Sequence, residues 1–473
     1  MSRFDQAIPK FRLAGALTAA MLLAGCAVGP DYLRPAAQLP EQHKEAAPQA
    51  AAVAPINPEW WTLFGDAGLN ALVAQALEAN QDLQAAVARL EAAEAVAREA
   101  GADYAPSVSL AASSSRQRSS GETFNGQRMG EATYNNRRAA LSLNYEVDLW
   151  GRVRRSNEAA RAEALASRFG RDSLRLTLIG QLANEYLSLR SLDGQLEVTG
   201  QTLLSRQEAL KIVKVRLDAG SASGLELAQA ESALNAAQAQ LSQLKRQRAL
   251  AENQLGLLAG QPGLKIAAAS LDNIPLPPTP PASLPSALLE ARPDVRQAEE
   301  KLIAANARIG VAKAAYFPSI GLTGLWGGES IALSNLFGSG ATIWSAAINL
   351  AMPIFDAGRT GARVDQASAS QQESLANYRK TVQVAFKEVN DALVGLREYA
   401  EEETAYADQV AAAQRALDLA QARYASGYSG YMDLLDAQRT LNAAKLQYLA
   451  SRRNRLGAAV DLFKALGGGW IPG

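Results

Sequence analysis

The chain is one unit written twice. Asp103-Tyr104-Ala105-Pro106-Ser107-Val108-Ser109-Leu110 returns as Ala315-Tyr316-Phe317-Pro318-Ser319-Ile320-Gly321-Leu322, an offset of 212. Gly220, Leu225, Leu227, Ala230, Leu234, Asn235, Ala236 and Ala237 return as Gly427, Met432, Leu434, Ala437, Leu441, Asn442, Ala443 and Ala444, an offset of 207. One loop between the two marker blocks is therefore shorter in the second copy. A period of about 210 residues is too long for a solenoid. It reads as a duplicated half-domain, so the function belongs to something both halves build together.

The prolines draw the architecture. All 19 lie outside residues 107–261 and 354–471. Proline breaks helix interiors, so these windows permit very long helices. Leu234, Ala237, Leu241, Leu244, Arg248, Ala251, Leu255 and Leu258 keep a 3,4 spacing, and Leu441, Ala444, Tyr448, Ser451, Arg455, Ala458, Leu462 and Ala465 repeat it. That is a heptad seam. Arg248 and Arg455 interrupt both seams at the same place and read as surface residues that snorkel past them rather than as a ligand site. Helices are expected over residues 154–217 and 224–259 and again over 361–425 and 431–466. The turns between them hold Gly220 and Gly224, then Gly427 and Gly430, glycine supplying left-handed geometry that stops a helix. Shorter helices are expected at 70–102 and 294–315.

Two stretches alternate instead. Leu141, Leu143, Tyr145, Val147 and Leu149 interleave with polar residues, as do Trp344, Ala346, Ile348, Leu350, Met352 and Ile354 with small or polar ones. Period-2 alternation marks strands, each of about ten residues, the length a tilted membrane strand needs. Partner strands fall near 106–115 and 318–326, with tip loops at 116–133 and 327–340. Four strands cannot close a barrel, and open edges cannot face lipid. Several chains must pool strands, and three chains of four strands are the most economical closed ring; two would leave little lumen.

The chain begins with Arg3, Lys10 and Arg12 before an apolar run over residues 13–24 that ends in Leu23-Ala24-Gly25-Cys26. A basic start, a short apolar stretch and a small-residue cleavage site make a secretory signal. Cys26, the only cysteine, sits where a bacterial lipoprotein is cut and acylated. Net charge is zero, with 47 basic and 47 acidic residues and no basic tail, so nucleic acid is not an expected partner. The only histidine, His43, lies in a Pro/Ala/Gln-rich stretch and reads as solvated; no metal, cofactor or enzymatic constellation is indicated. The prolines between 275 and 285 mark an extended linker on the outside of the helical region. The expected organisation is a signal peptide, 1–25, then an extended segment, 26–69. The first repeat, 70–262, holds a β-hairpin near 104–150 and a helical hairpin near 154–259. The linker, 263–287, leads to the second repeat, 288–466, with hairpins near 316–355 and 361–466, and a tail, 467–473.

Several ordered blocks carry a family resemblance. Gly29-Pro30-Asp31-Tyr32 and Arg34-Pro35 follow the cysteine; Trp60-Trp61, Phe64, Asp66, Leu69 and Leu72-Val73 come next. Asp148-Leu149-Trp150-Gly151-Arg152 closes the first hairpin, Arg292-Pro293-Asp294-Val295 leads to Tyr316-Phe317-Pro318-Ser319, and Phe355-Asp356-Ala357-Gly358-Arg359 closes the second. Together these resemble the TolC-like outer-membrane factors, in their lipoprotein (OprM-like and NodT-like) branch. The resemblance covers essentially the whole mature chain. It implies an α+β membrane protein: a long antiparallel α-helical barrel plus four strands per chain, completed as a 12-stranded β-barrel in a homotrimer. It implies a passive channel serving a tripartite efflux pump, docked on a periplasmic adaptor and an inner-membrane RND-type pump, anchored to outer-membrane lipid through Cys26. Ala27 is not the aspartate that retains lipoproteins at the inner membrane. The acyl chain enters from the periplasmic leaflet, so the strand tips face outward and the Gly-bearing turns lie at the far periplasmic end.

That end carries the implied gate. Met432-Asp433-Leu434-Leu435-Asp436-Ala437 resembles the family segment whose two aspartates ring the constriction, and Tyr424 matches the gate tyrosine. Asp433 and Asp436, three apart, share a helical face; stacked carboxylate rings attract cations and repel one another as a bore narrows. The same two acids also suit a helix N-terminus. Glu226 is the first-copy counterpart of Asp433. Gly220, Gly224, Gly427 and Gly430 mark the adaptor-docking turns. Ser429 stands where a prominent member of the family carries an arginine, so the closed-state network must differ. The alternatives are the outer-membrane channel of a type I protein secretion system and, with less support from the duplication, a periplasmic adaptor lipoprotein.

Overall fold

The structure, a computed structural model, describes residues 27–36, 40, 56–122, 133–280 and 288–470. Cys26 and His43 lie outside the described residues. By contacts the chain divides into two compact units, each drawing on both sequence repeats: Met1–Pro35, Leu90–Ser167 and Ala298–Tyr378 form one, and Ala36–Arg89, Arg168–Gln297 and Arg379–Gly473 the other. Contact thus groups like parts of the two repeats, where sequence groups each repeat with itself.

The elements in chain order are α1 (Ala67–Ala79), α2 (Gln81–Ala102), β1 (Ser107–Arg118), β2 (Thr133–Val147), α3 (Arg152–Asp218), α4 (Gly224–Leu258), α5 (Pro293–Ala314), β3 (Ser319–Ser330), β4 (Thr342–Ala351), α6 (Arg359–Ala425) and α7 (Tyr431–Ala465), with a one-turn helix at Leu288–Ala291. The proline-free windows do hold the long helices. Helices α3 and α6 are each 67 residues, about 100 Å at 1.5 Å per residue, and α4 and α7 are each 35. Among the described residues no helix is long and apolar enough to cross a membrane.

In the first unit the four strands form one antiparallel sheet, ordered β1-β2-β3-β4. The two expected hairpins are thus joined through β2 and β3, leaving β1 and β4 as edges. Register puts the alternation to use. Leu110 pairs with Leu141, Leu141 with Trp326 and Trp326 with Trp344, an apolar row across all four strands. One step along, Ser109 pairs with Ser142, and two steps further Ser107 pairs with Asn144 and Asn144 with Thr323, on the opposite face. Val108, Leu110, Trp326, Trp344, Ile348 and Leu350 all stand exposed. The strands outrun their expected ends: β2 begins at Thr133, not near 141, β1 continues to Arg118 and β3 to Ser330. Polar tip residues such as Asn135 and Arg138 hid this, because a strand needs only backbone pairing once its neighbour is in register.

The family blocks are joints. Asp148 accepts from the Val153 and Arg154 amides at 3.1 and 2.9 Å and so caps α3; Asp356 does the same for α6 through Thr360 N–H at 2.8 Å. Such a cap is worth about 1 kcal/mol. Gly151 and Gly358 take φ of +81° and +83° beside these caps. The segment after the cysteine docks tightly. Val28 N–H donates to Trp150 O at 3.0 Å, Arg155 pairs with Asp31 at 2.5 Å, and Arg34 pairs with Glu299 at 2.6 Å. Gly29 lies against Gly310 so closely that a Cβ there would meet the Gly310 Cα at 2.6 Å.

In the second unit, Trp60, Phe64, Leu69, Val73, Leu182, Leu187, Leu255, Val460 and Phe463 build the main core, with Trp60 stacked on Phe463 at 5.4 Å. Asp66 caps α1 through Leu69 N–H at 2.9 Å and accepts the Tyr186 hydroxyl at 2.7 Å.

Four expectations are corrected here. The segment 26–69 is not extended throughout: Trp60–Phe64 is a 3-10 turn and α1 begins at Ala67. The single helix expected at 70–102 is two, broken at Asn80, whose Nδ2 donates to Leu258 O at 3.0 Å while its Oδ1 caps Leu83 N–H at 3.0 Å. The linker is not merely laid outside: Leu271 and Ile274 are buried in the core, and residues 266–274 are hydrogen-bonded along their length. Arg248 does not snorkel. It donates to Asp193 at 2.7 Å, Glu252 at 3.3 Å and Ile266 O at 2.7 Å. Arg455 in the second copy pairs with Glu403 at 3.0 Å.

Candidate functional site at the helix turns

The two helix turns are built alike at their first glycine and differently at their second. At Gly220 and Gly427 φ is +70° and +74°. Ser221 N–H reaches Arg216 O at 2.8 Å while Gly220 N–H reaches Leu217 O at 2.9 Å; Tyr428 to Arg423 and Gly427 to Tyr424 repeat the pair at 2.9 and 3.1 Å. This double bond pattern around a left-handed glycine is the Schellman stop. The expectation that all four glycines supply left-handed geometry fails for Gly224 and Gly430. Neither has positive φ: Gly430 is the extended N-cap of α7 at φ −78°, and Ser223 caps α4 one residue before Gly224.

Past the second turn, α7 buries one face of its first two turns and exposes the other. Tyr431 and Leu435 pack with Ala209 and Val213 of α3 and Ala230 and Ala233 of α4. Asp433 and Asp436 stand on the exposed side and have no hydrogen-bond or ion-pair partner among the described residues. Packing of Tyr431 and Leu435 therefore decides where both carboxylates point.

Tyr424, half-buried, joins this cluster. Its ring lies 6.0 Å from that of Tyr431, and the Arg216 guanidinium sits over it at 4.9 Å, a cation–π contact. Burial pushes the Tyr431 phenol up, against the pull of nearby Arg206. Glu226 departs from its counterpart. It is half-buried with one carboxylate oxygen covered and unpartnered, so within one chain it does not share the exposed setting of Asp433 and Asp436. The Ser429 hydroxyl is likewise covered and unpartnered. The turn is instead held by Arg216 over Tyr424. Reading the sequence singled out neither Arg216 nor Tyr431; the apolar spacing of Tyr431, Leu434 and Leu435 carried the signal for the latter, while nothing local ties Arg216 to a residue 208 positions away.

Among the described residues no group of acidic, histidine or cysteine side chains could hold a metal ion. The arrangement is that of a charged, exposed helix end over an apolar joint.

Comparison with known proteins fits this geometry. The outer membrane efflux protein family matches at residues 72–261 and 284–468. Outer membrane protein OprJ of Pseudomonas aeruginosa is 37% identical over 465 residues, covering 97% of this chain and 96% of OprJ. The toluene efflux pump outer membrane protein TtgC of Pseudomonas putida is 36% identical over 459 residues, covering 95% and 94%. The solved outer-membrane channel OprN superposes with a TM-score of 0.87 at 29% identity, covering 94% of this chain and all of that one. Duplicated helical hairpins, a four-stranded sheet apolar on one face, and matches that run nearly end to end lead to one conclusion: the chain belongs to the outer membrane efflux protein family.

Proposed function

We propose that this protein is the outer-membrane conduit of a tripartite efflux pump, assembled from three copies. The carrying observation is the sheet. Its apolar row from Leu110 through Leu141 and Trp326 to Trp344 suits lipid, its Ser/Asn/Thr face suits water, and its edges β1 and β4 lack partners among the described residues. An open edge is untenable in hydrocarbon. Pairing β4 of one copy with β1 of the next removes every edge, and three copies give the twelve strands of a closed wall. The long helices then continue the conduit into the periplasm, where a periplasmic adaptor and an inner-membrane pump of the RND class engage the turns around Gly220 and Gly427. The similarity to TtgC, the outer membrane protein of a toluene efflux pump, supports an efflux assignment and small-molecule cargo. As in its family, the chain is read as a passage for the cargo. Acylated Cys26 tethers each copy to the outer membrane, and the docking of residues 28–34 fits an anchor fastened at the base of the sheet.

In this reading Asp433 and Asp436 form stacked carboxylate rings at the periplasmic constriction, with Tyr424 and Arg216 holding the turn and Glu226 set behind. The test is planar-bilayer recording of the D433A/D436A double variant. Single-channel conductance should rise and block by multivalent cations should weaken. Unchanged conductance and block would remove both residues from the constriction.

A further inference from the structure

We propose that a pocket centred on Arg206, between α3, α6 and α7, binds an oxyanion: a phosphate or carboxylate group. The cavity holds about 180 Å³ and is lined by Gln201, Thr202, Arg206, Gln438, Asn442 and Lys445 among others, with no Asp or Glu among the described lining residues. At about 30 Å³ per water it has room for such a group and several waters.

Arg206 is the anomaly. It is only 4% exposed, yet no carboxylate among the described residues lies within ion-pair reach. Its Nη1 donates to the neutral Gln438 Oε1. Burial lowers its pKa, against the pull of the Tyr431 hydroxyl, and the like charge of Arg439 lowers it further. Buried arginines are almost always paired, because desolvating a cation without a counter-charge is strongly unfavourable. The other buried arginines described in this unit follow that rule: Arg190 pairs with Asp193 and Arg292 with Asp294.

The hydrogen bonds inside the pocket consume acceptors and leave donors. Gln438 Oε1 is used by Arg206, and its Nε2 donates to Ser205 Oγ at 3.3 Å, which frees the Ser205 proton. The Thr202 hydroxyl has one proton for two acceptors, Val198 O at 2.9 Å and Asn442 Oδ1 at 3.0 Å, and the Asn442 Nδ2 protons have no partner among the described residues. What remains is a guanidinium, the Lys445 ammonium, an amide and a hydroxyl. Such a donor set, positive and without a competing carboxylate, is matched by an oxygen anion. A bound anion would tie α3 of the first repeat to α7 of the second.

The test is isothermal titration calorimetry and thermal unfolding of the detergent-purified full-length channel. Inorganic phosphate and succinate are each compared with sodium chloride at matched ionic strength. Saturable binding of at least one is expected, with a thermal midpoint that rises with its concentration; the tighter ligand tells phosphate from carboxylate. R206Q should abolish binding, and K445Q should weaken it about tenfold or more, since charge-assisted bonds carry that much. K445Q with wild-type circular dichroism and oligomeric mass separates lost binding from lost folding. A wild-type response to both probes indistinguishable from chloride, or folded K445Q binding as tightly as wild type, overturns the site. The D433A/D436A recordings are independent of either outcome.

Discussion

At the scale of single residues, the two turns separate glycine that is required from glycine that is merely present. Gly427 sits at φ +74°, where an L side chain is strained, while Gly430 sits at φ −78° with open space where a Cβ would go. Gly427→Ala should cost the turn about 1 kcal/mol. Gly430→Ala should cost less, about 0.5 kcal/mol, because no backbone strain is added and only the N-cap preference for glycine over alanine is lost. Hydrogen–deuterium exchange over residues 424–435 reads the difference: clearly faster in the first variant, only slightly faster in the second. Equal acceleration in both would refute the assignment of the Schellman stop to Gly427 alone. The aspartates at 433 and 436 teach a related lesson. Their spacing was visible, but their direction comes from Tyr431 and Leu435 on the buried side of the same two turns.

At the scale of elements, the segment after α4 is a strap fastened by both repeats. Arg248 and Arg190 donate to Ile266 O and Ala267 O at 2.7 and 2.6 Å. Glu252 accepts Ile266 N–H at 2.8 Å, and Arg452 reaches Ile274 O at 3.2 Å. Burial alone would raise the Glu252 carboxyl, but the Ile266 amide, Lys265 and Arg248 together hold it below the ordinary carboxylate range. A depressed folded-state value means its contribution is complete above the ordinary range and is lost as pH falls through the depressed value. Protection of the Ile266 amide, referenced to intrinsic exchange, should therefore fall on acidification below about pH 4.5. E252Q should show weak protection at all pH values. A pH-independent wild-type protection factor would show that Glu252 does not hold the strap. The prolines announced an extended segment here, but fastening by Arg190, Asp193 and Arg248 joins residues up to 77 positions apart, and no local pattern reports that.

At the scale of the whole molecule, β1 and β4 are edges with no partner strand among the described residues, and the proposed wall closes them by pairing between copies. Native mass spectrometry of the detergent-extracted protein should give three chains, each carrying the mass of a lipid on Cys26. C26S should lose the lipid mass and keep the threefold assembly, because strand pairing and acylation are separate. A lone chain that conducts ions would refute the pooled-strand wall, and an acylated C26S variant would refute the lipid site.

The sequence by itself determined the periodic features. Proline-free windows set the long helices, alternation set the strands and their apolar face, and the duplication set the pairing of like parts. Each of these follows from a local preference repeated along the chain, so it is written in neighbouring residues. Tertiary structure alone decided the joints. It turned Arg248 from an apparent surface residue into an ion-pair node, and broke the helix at Asn80. It set Glu226 apart from Asp433, and left Arg206 buried with only neutral partners. Each of these depends on which distant group arrives beside a charged or polar atom to replace its lost water, and sequence spacing carries no record of that arrival.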